Sequence, residues 1–273
     1  MRYQYNSGTI GILSLSSSSE FAGSTTSIQL NGSGPNKRQD ISHPHQITIH
    51  EDYQELLVAD LGSDIVRRFK KTSDGSWKLS GHIGFELGGG PRHVAFYGNL
   101  VSWLHLYFLV LTIIFFTDGD LFTLLELTNK VVRHRLPPLP EFPVFVKSVP
   151  TMSNPPPTPN DFLAAEILIP PTNSSFPTPY LYVSNRNDPS PEGDIISIFS
   201  IEGRDSLELV AEVRSGLNHL RGMAFGGADD KFLIAGGAKG GGVKVFERVD
   251  GGASLRLVAF NDSVVTPTGF LWL

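Results

Sequence analysis

The sequence predicts an all-β chain built as a β-propeller, and three observations carry that prediction. Gly (28) and Pro (19) are plentiful, while charged residues make up 18% of the 273 residues against about 25% in average proteins. That balance favours turns over solvated helices. Short apolar and alternating strands recur in one fixed order, four to a unit, at a spacing of roughly 45 to 60 residues, which is the signature of propeller blades. No helical period of useful length competes with them. A β-sandwich would also give short alternating strands, but not units whose internal order repeats.

Each unit opens on a short strand, at residues 45–49, 92–96, 165–169 and 221–225. A pair of strands joined by a Gly, Asp or Asn turn follows at residues 55–69, 120–134, 180–199 and 231–246. A fourth strand comes after most of these pairs, at residues 77–79, 207–210 and 255–260. Asp60 and Asp64 fix the turn at Gly62-Ser63. Residues 137–159, rich in Leu and Pro and then in Ser, Asn, Pro and Thr, read as an extended loop between blades. The run from Gly236 to Gly242 lacks a following helix and the Walker spacing, so it reads as a hairpin turn.

Composition bounds the function. Lys and Arg number 22 against 27 Asp and Glu, and no basic stripe gathers, which argues against nucleic acid as the main partner. With no cysteine, disulfide scaffolds, Cys-ligated zinc and thiol nucleophiles are excluded. Residues 1–8 carry no basic region followed by an apolar core, so no secretory leader is read and the cytoplasm is the expected location. The length suits one propeller domain over residues 1–273. The pattern of Lys and Arg does not report the oligomeric state.

One segment breaks the pattern. Residues 99–117 are apolar, with no formal charge apart from His105, and meet the length rule for a membrane span. Yet they sit inside one blade, where a propeller has only a short turn and a span would tear the sheet. We read residues 98–118 as an insertion translated from an intron. The codons of Gly98-Asn99 can hold a splice donor, those of Leu111-Thr112 a branch-point-like signal, and those of Thr117-Asp118 an acceptor. Excision restores a single Asp between Tyr97 and Gly119, and the blade closes on an ordinary turn.

Set in this frame, several phrases become informative: His43-Pro-His45-Gln, Val58-Ala-Asp-Leu-Gly-Ser-Asp64, Gly90-Pro-Arg-His93, Leu124-Leu-Glu-Leu127, Ala164-Ala-Glu-Ile167, Ser184-Asn-Arg186 and Leu220-Arg-Gly222. In this order they resemble the seven-bladed propeller lactonases, which include bacterial-type 6-phosphogluconolactonases and fungal carboxymuconate lactonizing enzymes. The resemblance runs from about Tyr5 to the end, apart from the apolar run and the Pro-rich loop. It implies about five blades here, an incomplete N-terminal side and a fungal member of the family. It also implies a site of His45, Arg92, Glu126 and Arg186 at the mouth of the central channel, with Glu166 and Arg221 as a second tier binding substrate.

The residue types suit a lactone. Arg92 and Arg186 offer rigid forks of donors for a carboxylate, a phosphate or the oxyanion formed when water attacks an ester carbonyl. His45 can activate that water. Glu126 can orient His45 or carry the proton to the ring oxygen. His43 and His93, beside these, read as locally bonded. No metal and no cofactor is called for. The implied activity is hydrolysis of a sugar-acid lactone such as 6-phosphogluconolactone in the pentose phosphate route, with muconate cycloisomerisation or a non-catalytic binding propeller as alternatives.

Overall fold

The computed structural model describes residues 2–15, 21–98, 101–105, 112–116, 119–157 and 161–272, and nearly every element in it is a strand. The first sheet has three strands, β1 (Arg2–Gln4), β2 (Thr9–Leu15) and β3 (Phe21–Gln29). The second has four, β4 (Pro44–His50), β5 (Glu55–Asp60), β6 (Ile65–Lys71) and β7 (Trp77–Gly84). The third begins with β8 (Pro91–Tyr97), is interrupted by the hairpin β9 (Val101–His105) and β10 (Thr112–Phe116), and continues with β11 (Gly119–Leu125), β12 (Lys130–Leu136) and β13 (Val144–Pro150). The fourth holds β14 (Leu163–Leu168), β15 (Tyr180–Arg186), β16 (Ile195–Ser200) and β17 (Glu208–Arg214). The fifth holds β18 (Asn218–Gly226), β19 (Phe232–Gly240), β20 (Val243–Val249) and β21 (Ser254–Asn261).

All neighbours pair antiparallel in chain order, and the first strands pack in series, β1 on β4, β4 on β8, β8 on β14 and β14 on β18. These are propeller blades, about five as the sequence implied. The strand period of two explains how they stack. In β5, Leu56 and Val58 join Ile10 and Phe69 in the cluster toward the first blade, while Leu57 and Ala59 join Val94 and Leu121 toward the third. In β11 the same alternation sends Leu121 backward and Phe122 and Leu124 forward, onto Leu181 and Val183. A one-residue slip in either strand would exchange its two faces. Truncating Leu57, which is wholly buried, to Ala would cost about 2–5 kcal/mol.

One sequence expectation changes. The stretch 137–159 is not a continuous loop, because β13 runs through it as the fourth strand of the third blade, paired from Lys130↔Pro150 to Arg135↔Val144. Pro143 and Pro150 hide it from a strand reading, yet an outer strand with one unpaired side tolerates them. The loop ahead of β13 is held to the second blade by a buried pair, with Arg68 Nη2 donating to the Pro137 carbonyl (2.7 Å) and Leu139 N donating to Glu55 (2.7 Å).

The apolar run lies outside the ladder of the third blade. Its described parts are strands that pair with each other, from Val101↔Phe116 to His105↔Thr112. Residues 99–100, 106–111 and 117–118 lie outside the described residues. Among the described residues no helix is long and apolar enough to cross a membrane. β8 and β11 pair directly, beginning at Tyr97↔Asp120, so the ladder of the blade closes without the run.

Candidate active site

Irregularities in the sheets set the candidate residues at one end of the blades. In each complete blade the first strand carries a β-bulge near its start. The ladder skips His45 between Pro44 and Gln46, and Arg92 between Pro91 and His93. It skips Ala165 and Glu166 between Ala164 and Ile167, and both His219 and Arg221 on β18. An extra residue bends the strand and re-aims a side chain. Glu126, just past β11, and Arg186, the last residue of β15, come to the same end because second strands run antiparallel to the first.

Three of these bulges are anchored by the blade before them, and the one at His45 by Asp60 of its own blade. Asp64, between β5 and β6, accepts from Gly88 N (2.7 Å), Gly90 N (2.8 Å) and Gln39 Nε2 (2.6 Å), two residues ahead of Arg92. Gly90 has φ of 64°, a left-handed conformation that costs glycine little. Asn129 Oδ1 accepts from Ala164 N (2.7 Å), ahead of Glu166, and Asp194 accepts from Leu220 N (2.7 Å), ahead of Arg221. Asp60 holds His43 N (2.8 Å) and Ser42 Oγ (2.7 Å), ahead of His45. Asp60 and Asp64 therefore do more than shape the Gly62-Ser63 turn. They position the strands that carry His45 and Arg92.

Glu126 is the hub of the site. Its fully buried carboxylate meets Arg92 Nη1 at 2.6 Å, Arg38 Nη1 at 2.6 Å and Arg186 Nη2 at 2.8 Å. Arg92 also donates from Nη1 to His45 Nε2 (2.6 Å) and from Nε to the Ala165 carbonyl (2.5 Å), which the bulge on β14 leaves out of the ladder. Arg186 lies 3.3 Å from His219 Nε2, whose Nδ1 meets Asn187 Oδ1 at 2.6 Å. Tyr5, Arg38, His45, Arg92, Arg186 and Arg221 line a cavity of about 210 Å³. Arg38 also lines a wider cavity of about 680 Å³ together with Lys37, Asn187 and Lys239.

The electrostatics follow from this crowding. Burial raises the Glu126 carboxyl, but Arg92, Arg186 and Arg38 outweigh it and hold the group below the usual carboxylate range. Burial, then Arg92, His93, Arg186 and Arg221, keep His45 far below the usual imidazole range, so it is neutral. His219 is pushed down to about 4 by burial and then Arg186. Arg186 falls to about 10, chiefly through burial, and stays charged at neutral pH. Four guanidinium groups line the cavity over one carboxylate, so the site favours an anion.

The structure thus brings together all four leading residues and places Arg221 on the cavity. Glu166 stands one step away, its Oε1 2.5 Å from His93 Nδ1. The orienting contact expected between Glu126 and His45 runs through Arg92, which touches both. Sequence reasoning missed Arg38, Tyr5 and His219. Arg38 lies in a segment without strand period, and its one signal is the Lys37-Arg38 pair shortly before the His-Pro-His phrase. Among the described residues no group of three or more His, Asp or Glu side chains is placed to hold a metal ion.

Comparison with known proteins adds to this geometry. The model of the family described as "Lactonase, 7-bladed beta-propeller" matches residues 2–272. The chain is 29% identical over 93 residues to the 6-phosphogluconolactonase of Bacillus subtilis, a match that covers 34% of this chain and 26% of that protein. A crystal structure of a protein from Lactobacillus plantarum superposes with a TM-score of 0.76 at 20% identity, covering 97% of this chain and 68% of that one. The periplasmic gluconolactonase of Pseudomonas aeruginosa superposes with a TM-score of 0.72 at 16% identity, covering 95% of this chain and 65% of that one. At these identities the structural likeness shows the fold alone.

Proposed function

Because the chain belongs to the seven-bladed β-propeller lactonase family, we propose that it adds water to the ring ester of a sugar-acid lactone, with 6-phosphogluconolactone as the substrate. The observation that carries this reading is the excess of guanidinium over carboxylate around the 210 Å³ cavity, which suits a substrate that is anionic and becomes more so at its carbonyl. The relative named as a 6-phosphogluconolactonase supports the choice of substrate.

In this reading Arg92 and Arg186 donate to the carbonyl oxygen, where negative charge develops as water attacks. Neutral His45 offers its Nε2 to the proton of that water once the substrate draws Arg92 toward the carbonyl. Glu126 keeps the three guanidinium groups together and takes no proton itself, being held ionised by them. Arg38 and Arg221 meet the phosphate or hydroxyl groups of the sugar chain. Collapse of the tetrahedral intermediate breaks the ring C–O bond, and the alkoxide recovers the proton from His45.

The test is acid release at constant pH by the purified chain on 6-phosphogluconolactone, on gluconolactone and on a muconate lactone. We expect kcat/KM on the phosphorylated lactone to exceed that on gluconolactone by about tenfold or more, the worth of one charge-assisted contact. A preference for the muconate would replace hydrolysis with cycloisomerisation.

A further inference from the structure

Two guanidinium groups of the site are each held between Glu126 and an imidazole. Arg92 meets Glu126 and His45 Nε2, both at 2.6 Å. Arg186 donates from Nη2 to Glu126 (2.8 Å), and its Nη1 lies 3.3 Å from His219 Nε2. His45 and His219 both stand where the first strand of a blade leaves its ladder, on β4 and on β18. The reaction described above uses His45 and leaves His219 without a task.

The partners of His219 fix the direction of every bond around it. The Asp161 carbonyl only accepts, so Asn187 turns its Nδ2 toward that oxygen (2.8 Å) and its Oδ1 toward His219. Oδ1 also only accepts, so His219 carries its N–H on Nδ1, 2.6 Å away. Its Nε2 is therefore bare and accepts from Arg186, because a guanidinium only donates. One chain of bonds thus runs from the backbone just ahead of β14 to the buried side chain of Arg186. The backbone is bent to serve it: Asn187 and His219 have φ of 66° and 58°. Glycine takes that left-handed conformation at little cost, whereas residues with a side chain hold it where their surroundings over-determine it.

We propose that His219 and Asn187 are positioning residues for lactone opening, which hold Arg186 Nη1 and so fix the plane of the guanidinium that faces the carbonyl oxygen. The proposal rests on the lactone-opening reading above. Held by Glu126 alone, the guanidinium can pivot about its Nη2 contact. The second contact, through Nη1, stops that motion, and a misplacement of about 1 Å at a reacting centre can cost about a hundredfold in rate. A neutral imidazole also suits this task. It anchors Arg186 without cancelling the positive charge offered to the carbonyl, as a second carboxylate would. His219 and Asn187 act through Arg186, and Asn187 stands at the wall of the wider cavity that Arg38 shares.

Two readouts test this. The first needs no substrate: nitrogen-15 NMR of the arginine side chains at pH 7, which reads how fast Nη1 and Nη2 of Arg186 exchange by rotation of the guanidinium. The proposal predicts slow exchange in the wild type, and a rate about tenfold or more higher in His219→Ala and in Asn187→Gly. Glycine accepts φ of 66°, so Asn187→Gly removes the side chain without straining the backbone. Exchange that stays as slow in both variants overturns the proposal. The second is the lactone assay, where both variants should lower kcat about tenfold to a hundredfold with KM within threefold. His219→Gln keeps an acceptor for Nη1 and should recover part of the loss. Unchanged kcat, a change confined to KM, or a His219→Gln variant no better than His219→Ala would also overturn it. A wild-type chain that opens no lactone refutes the proposed function, and the exchange measurement then decides the positioning of Arg186 alone.

Discussion

Replacing Glu126 by Gln removes one charge and changes shape little, which makes it a sharp probe of the site. The carboxylate is 0% exposed and meets Arg38, Arg92 and Arg186 at 2.6, 2.6 and 2.8 Å. At a charge separation of about 4 Å and an effective dielectric of about 20, each pair is worth about 4 kcal/mol before desolvation. Desolvating the ions offsets most of that sum, and breaking such a buried cluster by removing one partner costs about 3–5 kcal/mol. For a chain of this size that lowers Tm by about 6–15 °C. The assay is thermal and denaturant unfolding of both proteins in anion-poor buffer at pH 7. The same reasoning predicts rescue, because the surplus guanidinium groups bind phosphate, and phosphate at about a hundred times its Kd restores about 2.7 kcal/mol. The ionised Glu126 also gives the wild type an acid limb: its folded carboxyl titrates below the ordinary range, so its contribution is present above that range and lost as pH falls below about 4.5. A Glu126→Gln variant as stable as wild type without added anion, or one that phosphate does not stabilise further, would refute the charge balance described.

Three further outcomes follow from the same geometry. Asp64→Ala strands two buried donors, at Gln39 and Gly90, and the half-buried one at Gly88, and should cost about 3 kcal/mol in denaturant unfolding while lowering turnover through misplaced Arg92; a loss below about 1 kcal/mol would remove Asp64 from its positioning role. Burial between Phe85 and Phe145 pushes His134 down to about 4, so its neutral form stabilises the fold fully above pH 6.5, and about 3 kcal/mol of that is lost as pH falls toward 4. His134→Phe should flatten the stability profile in that window, and an unchanged slope would contradict the assignment. Replacing residues 98–118 by a single Asp leaves a two-residue Asp-Gly turn between Tyr97 and Asp120, which already pair, so stability should stay within about 1 kcal/mol or rise; unfolding of the third blade on this deletion would show that the apolar run belongs to it.

How far the molecule was legible depends on what sets each feature. Short apolar strands repeated in one order reveal the blades, because burial on both faces demands continuous apolar runs, as Leu56 and Leu57 show by entering opposite clusters. Four site residues were legible through short phrases around His45, Arg92, Glu126 and Arg186. The bulges were not, since a single extra residue resets the period without a compositional mark, and they decide where His45, Arg92 and Arg221 point. Arg38 was hidden for a different reason. It reaches Glu126 from an irregular segment that is held in place by the Gln39 contacts with Leu61 and Asp64, a long-range arrangement with no local signal. His93 read as a locally bonded residue because its partner Glu166 lies 73 positions away.

The claim that the guanidinium cluster performs lactone opening is tested most directly by the turnover of 6-phosphogluconolactone in the wild type and in Arg92→Ala. Arg92 joins Glu126, His45 and the Ala165 carbonyl, so its loss removes an oxyanion donor and loosens its neighbours. The account predicts a fall in kcat of about a hundredfold or more in a variant that remains folded. A fall of less than tenfold would contradict it.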